Sequence, residues 1–443
     1  MVSLSESISD HFCRLRFEKI PAKTIYEIKC LILDYLGVAC CGSQSMSGRI
    51  AIQYAVNQGG PPVSALIGAK CKAAPEFAAF ANAISSHSIE LDDVDELALF
   101  HFSPPVVSAV LAIAEKLKSS GRELLCAVYA GCEMMARLSN AMNPDLRDRG
   151  FHTTPVCGSI GAAVSAGLLL GLDQNQMVHA VALAGSQSCG LMEFYGDSLQ
   201  KRFNAGPPAR NGVCAAEMAR LGFTGAREIL EGKRGLFRAF SGRSDAGAFL
   251  DRLGETDPVL INFKPYSSAR PIHNGVDCAL TIRRKYSLVS ENIKHVTIYR
   301  HPDWADYHLN SQPKNINEAQ VSMPYSVAVA FKLGDAFLEH YDAHHLVDPE
   351  IKRIMAATRI APMEKLPRGV SCLMVVDTID GQKYEVQVDY PKGSLKNPFS
   401  EEELKAKFKR LATMLDDASA ERIIEMVFNL DKLEKLDPLT HYF

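Results

Sequence analysis

Four polar stretches concentrate the residue types that move protons or hold anions. In RDRGFHTTPVCGSIGAAVSAGLLLG, residues 147–171, a basic turn bearing His152 stands directly before a run of small and apolar residues. Thr153 or Thr154 suits an N-cap and Pro155 the first helical turn. Arg147, Arg149 and His152 are then expected at the positive end of a buried helix, where a carboxylate is favoured. In SSHSIELDDVDELALFHFSPP, residues 85–105, His87, Glu90, Asp92, Asp93, Asp95, Glu96 and His101 lie between two apolar segments. Carboxylates this dense beside histidines can bind a metal, orient a general base or form a solvated loop, and no zinc or EF-hand ligand spacing is met. GDSLQKRFNAGPPARNG, residues 196–212, sets Lys201 and Arg202 before a Gly/Pro turn and a helix, which suits carboxylates, although such a pair is also ordinary surface. NFKPYSSARPIHNG, residues 262–275, gathers Lys264, Tyr266, Arg270 and His273 at an expected domain junction, a preferred place for ligands; a hinge with incidental polar residues is the plainer alternative.

The elements that must position these residues follow from periodicity. At 443 residues the chain exceeds the size of one ordinary core, so two domains are expected. Helical spacing runs over residues 22–60 in two pieces, then 77–87, 105–118, 121–142, 174–185 with Asp173 as N-cap, and 208–221 ended by Gly222. Up to about residue 260 no alternating strand is evident. Beyond Pro258 the texture changes. HVTIYRH at 295–301 and CLMVVDTIDGQKYEVQVDY at 372–390 alternate as strands, the second with Asp380-Gly381 as a hairpin turn, and helices are expected near 274–286 and 325–333. Helix returns at 400–415, with a Ser400/Glu403 capping box, and at 418–430. The expected fold is mainly α: a large all-helical domain formed by both chain ends (1–264 and 396–443) and a smaller α+β lid domain (265–395).

Composition narrows the partners. The formal net charge of -3, with basic residues spread out, gives no footprint for nucleic acid. The longest apolar run, residues 155–172, is short for a membrane span and rich in Gly, Ala and Ser. The first 14 residues show no basic segment followed by an apolar run, so no signal peptide is expected, and the location is cytoplasmic unless an organellar signal goes unseen. Cys40 and Cys41 are adjacent and none of the twelve cysteines forms a C-x-x-C pair, which points to reduced, packed thiols and no metal.

Taken together, ELDD at 90–93 with His101 after it, RGFHTTPVCGSIGAA at 149–163, K-x-x-x-x-G from Lys201 to Gly206, GFTGAREILEGKRGL at 222–236 and FKPY at 263–266 resemble the MmgE/PrpD family. That family includes 2-methylcitrate dehydratase, cis-aconitate decarboxylase and iminodisuccinate epimerase. The resemblance covers nearly the whole chain. It implies the two-domain fold above, usually in a homodimer, and a site between the domains that needs neither metal nor organic cofactor. It also implies catalytic roles for His101, His152, Lys201, Lys264 and Tyr325, with the acidic loop, including Glu90 and Asp93, beside them. Tyr266 and His273 are added as substrate-binding residues, and Arg137 and Arg149 as carboxylate binders on chemical grounds.

The chemistries of this family begin at a carbon next to a carboxylate in a small di- or tricarboxylate. A base removes or an acid delivers a proton there, while cations stabilise the enolate-like carboxylate. Histidines suit the proton transfer, lysines the carboxylates, and Tyr325 a general acid. The chain departs from the family pattern at Glu90, where Asp is usual, at Val94, where Thr is common, and at Phe102, within what is usually HPS. Ala269 stands where the decarboxylase branch carries a further histidine. These departures tilt the expectation towards an epimerase, with proton-transfer groups on opposite faces of one carbon. A dehydratase or decarboxylase of the same family is the alternative, and a catalytically silent binding protein is a reading of another class.

Overall fold

The computed structural model describes residues 2–95, 100–194, 196–243, 249–255 and 257–443. The chain divides into two compact units, one of Met1–Phe194, Leu199–Ile261 and Ser400–Phe443, the other of Tyr195–Ser198 and Asn262–Phe399.

The first unit is built around the Thr153–Leu169 helix, which is buried at every position from Thr153 to Gly167. It packs chiefly against the Gly121–Met142 and Gly206–Arg220 helices, and also against Ser103–Leu117. Its small residues explain how closely these helices lie. A Cβ on Gly161 would come within 2.8 Å of the Gly131 carbonyl oxygen, and one on Gly212 within 2.4 Å of the Ala162 Cβ. The N-cap is His152, and neither Thr153 nor Thr154 takes that place. The threonine hydroxyls serve tertiary contacts instead. Thr154 Oγ1 accepts from the His101 backbone N–H at 3.1 Å, and Thr153 Oγ1 from Asn143 Nδ2 at 3.4 Å.

The C-terminal helices Glu401–Leu411 and Asp417–Phe428 pack on Ala22–Gly42. Ser400 and Glu403 form the expected capping box. Two features of this unit differ from the periodicity reading. Ser64–Leu66 and Cys71–Ala73 pair as a short antiparallel hairpin, with three residues in each strand, too few to show an alternation. A helix over Leu4–Cys13 carries its own capping box from Ser3 and Glu6.

The second unit is a four-stranded sheet with helices against it. Ile293–Arg300 is central, parallel to Thr358–Pro362 and antiparallel to Cys372–Thr378, which pairs in turn with Lys383–Val388. Gly381, at φ +84°, makes the turn between the last two strands. The His273–Lys285 and Met323–Leu333 helices supply Val276, Ala279, Val327 and Phe331 to a core shared with Ile298, Met374 and Val376 of the sheet. Thr358–Pro362 escaped the sequence reading because it is an edge strand with no buried face to impose alternation. Among the described residues, no helix is long and apolar enough to cross a membrane.

Candidate active site

Among the described residues, the polar side chains from His87 to Asp95 of the acidic loop are buried and not solvated. His87, Glu90, Asp92, Asp93 and Asp95 are each at most 2 % exposed. His87 closes the Pro75–Ser86 helix as its C-cap, and the Asp95 N–H donates to the Phe100 carbonyl at 2.9 Å. Asp93 starts the next helix: its carboxylate accepts from the backbone N–H groups of Phe102 (2.8 Å) and Ser103 (3.1 Å) and from the Ser103 hydroxyl (2.5 Å). Both of its oxygens hold orphan donors at the start of the Ser103–Leu117 helix. It thereby anchors the residues immediately after His101. Glu96 lies outside the described residues.

Two histidines share one carboxylate. Asp92 Oδ2 lies 2.7 Å from His87 Nδ1 and 2.9 Å from His101 Nδ1. His101 Nδ1 also faces the Asp93 carbonyl oxygen at 2.5 Å. Both partners of that nitrogen accept, so it carries a proton and the Nε2 edge is left to exchange one. The His87 and His101 rings meet edge to face at 4.8 Å, and His152 lies 6.3 Å from His87. Burial pushes the His87 pKa down to about 4, against the favourable effect of Asp92, and its Nε2 is buried with no hydrogen-bond partner. Burial also holds His152 well below its ordinary value, reinforced by His87, His101 and Lys201 nearby.

His152 is fixed from three sides. Its backbone N–H donates to the Gly190 carbonyl at 3.0 Å, its ring packs edge-on to Phe194 at 5.2 Å, and its Nδ1 faces Asn204 Nδ2 at 3.2 Å. Gly190, at φ +152°, is where the chain needs glycine, since a Cβ there would strike Pro155 Cγ at 2.3 Å. Asn204 ends a single helical turn, Gln200–Phe203, that also carries Lys201 and Arg202. Both cations reach Glu90 Oε1, and Glu90 holds its place with a left-handed backbone at φ +57°. Glu90 thus holds Lys201 and Arg202 together at one oxygen. The Lys201 side chain is 18 % exposed, the Arg202 side chain 4 %.

The remaining expected residues are held as follows. Arg137 is buried and donates to Glu133 Oε1 at 2.8 Å and to the carbonyls of Phe249 and Asp251, which makes it part of the core. Arg149 is exposed at the end of the Asp145–Asp148 turn. Lys264, Tyr266, His273 and Tyr325 belong to the second unit. Lys264 is 1 % exposed. The Tyr266 hydroxyl donates to Asp277, whose other oxygen accepts from the Lys392 N–H at 2.7 Å. His273 Nε2 donates to the Ser268 carbonyl at 3.1 Å while its Nδ1 accepts from Arg270 at 3.3 Å. The Tyr325 hydroxyl donates to the His340 carbonyl at 2.8 Å, and burial pushes its pKa up. Tyr266, His273 and Tyr325 thus each have a partner within the second unit.

Of this cluster, His87, Arg202 and Asn204 had no site role expected from the sequence, whereas Asp92 falls in the acidic ELDD loop that the family resemblance implies at the site. Only His87 and Asp92, five apart with Nδ1 and carboxylate paired, carried a local signal for it.

A family model for the MmgE/PrpD N-terminal domain matches residues 6–248, and one for the MmgE/PrpD C-terminal domain matches residues 266–432. The chain belongs to the MmgE/PrpD family. The cis-aconitate decarboxylase-like protein oryM of Aspergillus oryzae is 27 % identical over 448 residues, spanning 94 % of this chain and 92 % of that protein. Cis-aconitate decarboxylase of Aspergillus terreus is 26 % identical over 459 residues (96 % and 92 %), and that of Homo sapiens 27 % over 458 residues (99 % and 94 %). These MmgE/PrpD relatives are named as decarboxylases, hence lyases, and they lend no support to the tilt towards an epimerase.

Proposed function

We propose that this MmgE/PrpD enzyme is a lyase that decarboxylates a small unsaturated di- or tricarboxylate. The observation that carries the reading is the Asp92–His101 pair, with Nδ1 anchored on Asp92 and the Asp93 carbonyl; the reading assigns proton transfer to the opposite nitrogen, Nε2. The names of the relatives support the same class.

In this reading Lys201 holds a substrate carboxylate by charge. The bond from the substrate carbon to a second carboxylate breaks, carbon dioxide leaves, and the electron pair spreads into the remaining conjugated carboxylate. Protonated His101 delivers the Nε2 proton to that carbon and regains one from water, so one proton is consumed for each carbon dioxide released. Lys264, buried in the second unit, is proposed as a further carboxylate ligand. Ala269 in place of the decarboxylase histidine, with His273 turned to Ser268, argues that the substrate differs in detail from cis-aconitate.

The test is proton and carbon NMR in deuterium oxide, with cis-aconitate and related unsaturated polycarboxylates. The expected result is carbon dioxide, with a product one carbon shorter carrying one solvent deuteron. Deuterium entering a carbon next to a carboxylate with no loss of carbon dioxide or water would instead mark an epimerase. No turnover of any such acid would leave a binding protein.

A further inference from the structure

We infer that Asn204 locks His152 in the tautomer with its proton on Nε2, so that His152 is a neutral hydrogen-bond donor and the proton transfer falls to His101. The inference rests on the lyase reading only for the substrate that the donor meets. It comes from the donor count of one amide. Asn204 Nδ2 lies 3.2 Å from His152 Nδ1 and 3.2 Å from the Leu191 carbonyl oxygen. A carbonyl only accepts, which fixes the nitrogen end of the amide towards it; an oxygen there would face another oxygen. An amide nitrogen carries two donors and no acceptor, so its second N–H points at a lone pair on His152 Nδ1. A neutral imidazole with a lone pair on Nδ1 has its proton on Nε2.

Both partners are held. His152 is 6 % and Asn204 7 % exposed, the first tied to Gly190 through its backbone and the second to Leu191 of the facing segment. Burial and three neighbouring basic groups oppose a charge on His152. His101 has the opposite arrangement, because its Nδ1 faces only acceptors. One turn thus delivers Lys201 as charge and, through Asn204, His152 as a neutral donor. Asn204 lies at an unspecified position of the K-x-x-x-x-G stretch, so the assignment depends on this chain's own geometry.

The test reads the tautomer directly in protein grown with 15N-histidine, by long-range nitrogen–proton correlation at neutral pH. The His152 signal is identified by its loss in His152→Gln. Expected in the wild type is the Nε2–H pattern; an Nδ1–H or imidazolium pattern overturns the inference. Asn204→Asp replaces the donor by an acceptor of the same shape. It is expected to move the proton to Nδ1, or to charge the ring, while the His101 signals stay in place, and to lower turnover of the lyase substrate by about a hundredfold. An unchanged His152 pattern in that variant also overturns the inference. Should Asn204→Asp fail to fold, the wild-type spectrum decides. The spectra need no substrate. A protein that decarboxylates nothing but shows Nε2–H loses the lyase reading alone, and an active protein with Nδ1–H loses only the tautomer lock.

Discussion

Lys407 Nζ lies 2.6 Å from the carbonyl oxygen of Leu91, the residue between Glu90 and Asp92. The same ammonium sits 2.6 Å from Asp34 Oδ1, and both side chains are at most 4 % exposed. A C-terminal helix thereby fixes the backbone of the loop that carries two site carboxylates. Removing one member of a buried pair leaves the other charge uncompensated, which costs about 3–5 kcal/mol. Lys407→Met is therefore expected to lower the free energy of unfolding, read from urea titration, by an amount of that order and to reduce turnover. Adding Asp34→Asn should restore most of the stability but not the turnover, because the bond to Leu91 stays absent. Full activity in the double variant would show that the loop needs no such anchor.

Acid should destabilise the protein through His87. Its pKa is held at about 4, chiefly by burial, against an ordinary 6.5. Below about 6.5 the unfolded chain takes up a proton that the folded protein refuses until near pH 4. The stability from this group is whole above that range and is lost as the pH falls through it. Asp34, pushed up to about 6 by burial, acts in the opposite sense over the same range, so the comparison must be internal. His87→Gln is expected to lose less stability than the wild type between pH 7 and pH 5. Equal losses in urea unfolding at the two pH values would remove His87 as the cause.

Lys201 is the cation expected to meet the substrate. Lys201→Ala should lower turnover at least about a hundredfold, the usual scale for losing a group that acts in the transition state. Glu90→Gln should act differently. It leaves Lys201 and Arg202 without the carboxylate on which they converge, so stability falls while KM for a polycarboxylate also falls, as repulsion of the anion is removed. Steady-state kinetics separate the two. Near-normal activity in Lys201→Ala would take the residue out of the site.

What could be read from sequence was what local rules encode. Residues 295–300 alternate, Asp380 and Gly381 spell a hairpin turn, Ser400 and Glu403 cap a helix, and a basic turn before a small-residue helix marked His152. Other residues have partners that tertiary structure alone supplies. Asp93 looks like any loop carboxylate until the start of the Ser103–Leu117 helix is seen to rest on it. The Tyr325 hydroxyl ends on a carbonyl fifteen residues away, and His273 turns back to Ser268. His87 reads as one polar residue among several in an acidic loop. Asn204 carries no local signal at all, since its meaning lies in Leu191 and in His152, fifty-two positions earlier.

The last prediction concerns metal. His87, Asp92 and His101 come close enough together to hold an ion, their ligand atoms lying within 4.8 Å of one another. Their hydrogen bonding argues otherwise. A metal needs unprotonated imidazole nitrogens at about 2.0–2.1 Å, whereas His101 Nδ1 must keep its proton to satisfy the Asp93 carbonyl at 2.5 Å. An ion on these nitrogens would therefore break the bonds that aim His101. Exhaustive chelation is expected to leave turnover unchanged, and added zinc to inhibit by competing for the Nδ1 edges. Activity that vanishes on chelation and returns with one divalent ion would overturn the proton-transfer role given to His101.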